Sequence, residues 1–160
     1  MSESGSAEHA ALNRLVFELT LLSRHVSASV LRRTGFQLDR SAYSILTRLE
    51  IDPSLNLREL AESFGLDIST INRQVAAMLE RGLVRRVPDP YGGIARKLRA
   101  SDTGLALLAA DREQRRGEIG AVVADWSGAD IAQMIRLVAR FNESVERIED
   151  NQSPRPPAAH

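Results

Sequence analysis

The side chains that most often carry enzyme chemistry are sparse in this chain. There is no cysteine, which excludes a disulfide framework, a thiolate metal site and a thiol redox switch. The histidines are His9, His25 and His160, too few and too scattered for zinc ligation. No Ser/His/Asp or Cys/His set, glycine-rich phosphate loop or metal-ligand spacing is present. Acidic residues are abundant, but no pair is singled out for acid–base work. These residues imply no enzyme, no bound metal and no cofactor.

What the chain holds in quantity is arginine, which makes up all of its 21 basic residues except Lys97. A guanidinium is a planar fork suited to phosphate and to the guanine edge, although a GC-rich genome produces the same bias. The position of these arginines is more informative. At about 100° per residue, a helix over 68–80 gathers Ile71, Val75, Met78 and Leu79 on one side. Ser69, Thr70, Arg73, Ala76 and Ala77 fall opposite, with Asn72 and Gln74 on the flanks. Such a face suits a helix that enters the DNA major groove. The alanines allow close approach, Ser69 and Thr70 meet phosphate or a base edge, Arg73 forks to guanine, and Asn72 and Gln74 suit adenine. It also suits an ordinary solvated helix.

The segment that follows shifts the balance towards DNA. Residues 81–99 carry Arg81, Arg85, Arg86, Arg96, Lys97 and Arg99 against Asp89 alone, six basic residues to one acidic, or net +5. A basic hairpin beside a groove-reading helix can follow the phosphate backbone or enter the minor groove. The bland alternative is a hairpin charged for solubility.

The elements that must position these residues follow from pattern. With 160 residues and a hydrophobic fraction of 43%, the chain has material for one core and extensions. Formal net charge is zero. No apolar run approaches the ~18 residues of a membrane span, and no signal peptide is visible at Met1–Gly5. Residues 1–7 are expected to fray. Leu12, Leu15, Val16, Leu19, Leu22, Val26 and Val30 stripe a helix over 8–33 that Gly35 ends. Asp39 caps a second helix bearing Ala42, Ile45, Leu46 and Leu49. Asn56 and Glu59 form a capping box for Leu57–Phe64, Gly65 breaks that helix, and Asp67 caps 68–80. Two short helices with a glycine-containing turn make a helix-turn-helix. Leu83–Val87 and Ala95–Ala100 read as a hairpin. Ser101 caps a helix over 102–124 whose middle, 111–116, is polar all round, and Ser127 caps a last one over 128–149. Trp126, between them, reads as a packing anchor, and the tail 151–160 as disordered. The fold class is mainly α with a small β-hairpin wing (α+β).

Asn56-Leu57-Arg58-Glu59-Leu60-Ala61, Ser69-Thr70-Ile71-Asn72-Arg73, Leu79-Glu80-Arg81-Gly82-Leu83-Val84 and Ser101-Asp102-Thr103-Gly104 resemble the MarR family of bacterial transcriptional regulators. The resemblance spans about 8–150. It implies a winged helix-turn-helix lobe over 36–101, a helical dimerisation region over 8–35 and 102–150, and an obligate homodimer in the bacterial cytoplasm. It further implies base readout by Ser69, Thr70, Asn72, Arg73, Gln74 and Ala77, with contacts from Arg81, Arg85, Arg86, Arg96, Lys97 and Arg99 in and near the wing. The partner implied is double-stranded DNA with a pseudo-palindromic operator. Repression released by a small, often aromatic or phenolic effector is also implied. Its pocket falls near Arg14, His25, Tyr43 and Arg48, each also readable as a surface or packing residue. One departure stands out. The family usually follows the Asp-Pro of the wing with an acidic residue and arginines, whereas here Asp89-Pro90 leads into Tyr91-Gly92-Gly93-Ile94. The buttressing pair is thus absent or displaced, and the glycines imply a mobile tip.

A winged-helix module for protein partners is the alternative. It requires apolar anchors on the outward face of 68–80, and that face is Ser, Thr, Arg and Ala.

Overall fold

The computed structural model describes residues 3–28, 36–89, 92–93, 96–150 and 155. In order these are α1 (Glu3–Ala28), α2 (Arg40–Ile51), α3 (Leu57–Phe64), α4 (Ile68–Glu80), β1 (Val84–Val87), β2 (Lys97–Ala100), α5 (Asp102–Val122) and α6 (Gly128–Glu149). The chain divides into two compact units, Met1–Gly35 with Arg115–Ala124, and Phe36–Gln114 with Asp125–His160. The expected stop at Gly35, most of the hairpin tip and nearly all of the tail 151–160 lie outside the described residues.

Local signals set most boundaries in the second unit. The Asp39 carboxylate accepts the Ala42 amide at 2.9 Å and starts α2. Asn56 Oδ1 accepts the Glu59 amide at 3.0 Å while Glu59 Oε2 accepts the Asn56 amide at 2.6 Å, which completes the capping box on α3. Gly65 stops α3 in the left-handed region, at φ 60° and ψ 33°. The expected cap on α4 is only half present. Asp67 is the N-cap, but its side chain makes no capping bond. Its backbone carbonyl accepts the Thr70 and Ile71 amides at 3.0 and 3.2 Å. At the other end Gly82 takes φ +67°, with bonds from Gly82 N to Leu79 O at 3.0 Å and from Leu83 N to Met78 O at 2.9 Å. These two bonds form a Schellman motif that turns the chain directly into the wing.

β1 and β2 pair antiparallel in the register Val84↔Ala100, Arg85↔Arg99, Arg86↔Leu98 and Val87↔Lys97. Leu55 adds an antiparallel bridge to Leu98. The core beneath is Ile45, Leu46, Leu49, Leu60, Ile71, Val75, Leu83, Leu98 and Leu108, all nearly inaccessible. Ser101 joins the wing to α5, its hydroxyl donating to Gly82 O at 2.6 Å and accepting the Gly104 amide at 3.0 Å. Gly104 is required there, because a methyl group in its place would meet the Leu83 carbonyl.

Three expectations need correction. α1 begins at Glu3, so described residues assigned to a frayed end are helical. The middle of α5 is polar all round but not solvated all round, because Asp111 is 1% exposed. Its two carboxylate oxygens accept the Gln37 and Leu38 amides at 2.9 and 3.0 Å. A helix carrying polar residues on every side can still bury one of them when a neighbouring segment offers unpaired donors. Trp126, read as a packing anchor, is 42% exposed.

Candidate nucleic-acid interface

α4 is anchored by Ile71, Val75 and Met78, all buried, with Leu79 half-buried beside them. Because these recur at helical spacing, the opposite side is forced outward. Ser69, Asn72, Arg73, Ala76 and Ala77 are exposed, while Thr70 and Gln74 are half-buried. Two further exposed side chains lie at the start of the helix, Leu66 and Ile68. With Arg58, Glu62 and Thr70 they line an open hollow of about 570 Å³. Sequence reasoning passed over Leu66 and Ile68, since an apolar residue near a turn normally signals packing.

The wing sorts its basic residues by strand geometry. Arg85 and Arg99 are direct cross-strand neighbours, and both are exposed. Like charges so placed repel, and Arg99 Nε has only a long 3.4 Å bond to Pro53 O. Arg86 and Arg96 line a second hollow of about 370 Å³ with Asn56, Leu57, Leu98 and Arg58. Arg58, absent from the sequence-based site, sits on α3. The signal that could have found it was its place one residue beyond the α3 start, near the wing in any helix-turn-helix.

Lys97 is placed differently. Its ammonium contacts both Glu59 oxygens at 2.9 Å, and its side chain is 11% exposed. The Glu59 hydrogen bond raises the lysine pKa. Partial burial pushes the Glu59 carboxyl up, but the Lys97 ammonium and the Asn56 amide outweigh it and hold that carboxyl below its ordinary value. Arg81, at the C-terminal end of α4, donates to Gln37 O at 2.8 Å and lies 3.5 Å from the Asp39 carboxylate. The Ser41 hydroxyl, the Ala42 amide and Arg81 hold the Asp39 carboxyl below its ordinary range. Thus the structure brings Arg86 and Arg96 together, leaves Arg73 and Arg85 exposed, and ties Lys97 and Arg81 into the fold.

The residues considered for an effector pocket fall in different units. Arg14 and His25 are exposed on α1, with Arg14 Nε 2.7 Å from Glu18. Tyr43 and Arg48 belong to α2 in the other unit. Tyr43 is half-buried against the core. Arg48 reaches Asp52 at 3.5 Å through one nitrogen, while its Nε and Nη1 are buried without a hydrogen-bond partner. Among the described residues no group of His, Cys, Asp or Glu could hold a metal ion, and no helix is long and apolar enough to cross a membrane.

A sequence model of the MarR family matches residues 38–91, a span that contains α2, α3, α4 and β1. The HTH-type transcriptional regulator YxaD of Bacillus subtilis, itself uncharacterized, is 35% identical over 71% of this chain and 78% of its own length. The chain belongs to the MarR family. Solved MarR structures share its fold. A MarR family protein from Bacillus stearothermophilus is 25% identical and superposes with a TM-score of 0.69 over 83% of this chain and 96% of that one. The PcaV transcriptional regulator from Streptomyces coelicolor, in complex with its natural ligand, is 25% identical with a TM-score of 0.59 over 84% of this chain and 93% of that one. The two strands and α2–α4 are therefore a MarR winged helix, and the protein is a DNA-binding transcriptional regulator.

Proposed function

We propose that the protein works as a homodimer in the bacterial cytoplasm, binds a pseudo-palindromic operator and represses by occupying it. The observation that carries this reading is the polarity of α4, pinned by Ile71, Val75 and Met78 while Arg73, Asn72, Ser69 and Ala77 face outward beside a basic wing. On this reading Arg73 forks to a guanine edge, with Asn72 and Gln74 favouring adenine. Ile68 offers an apolar contact for a thymine methyl. Arg85, Arg86, Arg96 and Arg99 neutralise phosphates. Lys97 acts indirectly by bracing the wing, and Arg81 by bracing the end of α4.

Dimerisation is assigned to the helices around the lobe 36–101. α1 exposes Leu12, Leu15, Val16, Phe17 and Leu22, and α6 exposes Ile131, Ile135, Val138 and Phe141. Such apolar stripes are rare on monomeric helices. A two-fold dimer presents its two recognition helices one turn apart, so half-sites repeat at about 34–36 Å.

Release is assigned to a small anionic effector. Support comes from Arg48, whose two unpartnered nitrogens are costly to leave buried, and from the ligand-bound state of the similar PcaV regulator. The effector acts by favouring the DNA-incompetent state. A gel shift on the DNA flanking the protein's own gene, repeated across salt, tests the central reading. Binding whose logarithm falls linearly with log salt is expected; absent or salt-insensitive binding defeats it.

A further inference from the structure

We propose that Arg58, Arg86 and Arg96 together hold one phosphoryl group of the DNA backbone, in a seat already built in the free protein. This inference rests on the DNA-binding reading and adds to it a residue on neither the recognition helix nor the wing. The three guanidinium side chains come from α3, β1 and the residue just before β2, yet line a single hollow of about 370 Å³. Its other described lining residues are Asn56, Leu57 and Leu98, so among the described residues no carboxylate lines it. The acidic residue next to Arg58 in sequence, Glu59, is turned to Lys97 and the Asn56 amide. The guanidinium groups of Arg58, Arg86 and Arg96 make no hydrogen bond or ion pair to another described residue. Three like charges around one concavity repel, and a phosphodiester bound by guanidinium forks removes that cost. The volume suits such a group with its hydration, since a water molecule takes about 30 Å³.

The seat is rigid because its walls are bonded to each other. Arg58 rides on a helix start closed by a capping box. The strand that follows Arg96 is fixed to that same helix start by Lys97 on Glu59 at 2.9 Å, and to Leu55 by the Leu98 amide at 2.7 Å. A phosphate bound here engages the tip-side end of the paired strands, at Arg86 and Arg96, so the contact does not require Gly92 and Gly93 to enter the minor groove. It would fix the register of the protein on the duplex without reading sequence.

The test uses the full-length chain and a duplex that the wild-type protein selects from a random pool, with affinity measured across a salt series. Arg58→Ala is expected to weaken binding several-fold for the selected duplex and for single-base variants alike, and to lower the salt slope by about 1. Arg58→Lys should restore part of the slope. Methylphosphonate substitution should locate one sensitive phosphate per half-site for the wild type and none for Arg58→Ala at that position. If the wild type binds with steep salt dependence and Arg58→Ala leaves affinity and slope unchanged, the proposal is wrong while the DNA reading stands. If the wild type selects no duplex, the DNA reading falls. Inorganic phosphate titrated against nitrogen-labelled arginine side chains then decides the hollow. Saturable shifts at Arg58, Arg86 and Arg96 would assign it to a free phosphate-bearing solute, and their absence would overturn it.

Discussion

Arg73 and Lys97 are both basic and both lie near the same candidate DNA face, yet their surroundings assign them opposite tasks. Arg73 stands exposed at the centre of the α4 outer face. Replacing it by Ala should cost about 1–3 kcal/mol of binding and relax preference at one base position, which competition between single-base operator variants would show. Lys97 is bound to Glu59 on both carboxylate oxygens, and this pair makes a pH-dependent contribution to the fold. Glu59 has a folded pKa below its ordinary 4.5. Its contribution is therefore present above the unfolded value and is lost as pH falls through the folded one. Glu59→Gln should lower the melting temperature at neutral pH. Between about pH 5 and pH 3 it should lose less than the wild type does. Parallel acid-melting curves for the two proteins would refute this assignment. The charge of Lys97 was legible in the sequence; its partner was not, because Glu59 lies 38 positions away.

At the scale of elements, the starts of α2, α3 and α6 could be read locally, since a cap needs only a polar side chain within three residues of a free amide, whereas Asp67 begins α4 through its backbone carbonyl alone. The Ser127 and Asp130 box at α6 forms as Asn56 and Glu59 do at α3. The packing of α5 could not be read that way. Asp111 meets amides 74 and 73 positions away, and nothing in the neighbouring Arg112, Glu113 and Gln114 distinguishes it. This carboxylate ties α5 to the entry of α2, and Arg81 ties the end of α4 to the same three-residue stretch, Gln37–Asp39. Asp111→Ala strands one buried and one part-buried amide and should destabilise the protein by about 2–4 kcal/mol. Asp111→Asn keeps one acceptor oxygen and should fall between. Equal denaturation midpoints for Asp111→Ala and the wild type would show that water replaces the carboxylate without loss.

For the whole molecule, balanced charge conceals segregation. Five acidic residues against Arg58 give −4 over 49–67, six against three arginines give −3 over 125–150, and the wing region carries +5. A neutral total suits a protein that must dissociate from DNA as well as bind it, because long-range attraction is confined to one patch. The exposed apolar stripes of α1 and α6 lead to a separate expectation. If they close a homodimer, the melting temperature rises with protein concentration, and Ile135→Arg, at a side chain now 64% exposed, yields monomers in analytical ultracentrifugation. A wild type that sediments as a monomer at micromolar concentration would contradict the dimer.

The sequence by itself determined the helices, the helix-turn-helix, the antiparallel wing and the outward face of α4. Each depends on periodicity or on capping within a few residues, and such short-range rules act before distant parts of the chain meet. The tertiary structure alone decided which basic residues remain available. It bound Lys97 to Glu59 and Arg81 to Gln37 and Asp39, buried Asp111 under two amides, and set Arg58 beside Arg86 and Arg96. Those outcomes turn on side chains tens of residues apart arriving within hydrogen-bond reach or around one hollow, a matter of packing that no local pattern encodes.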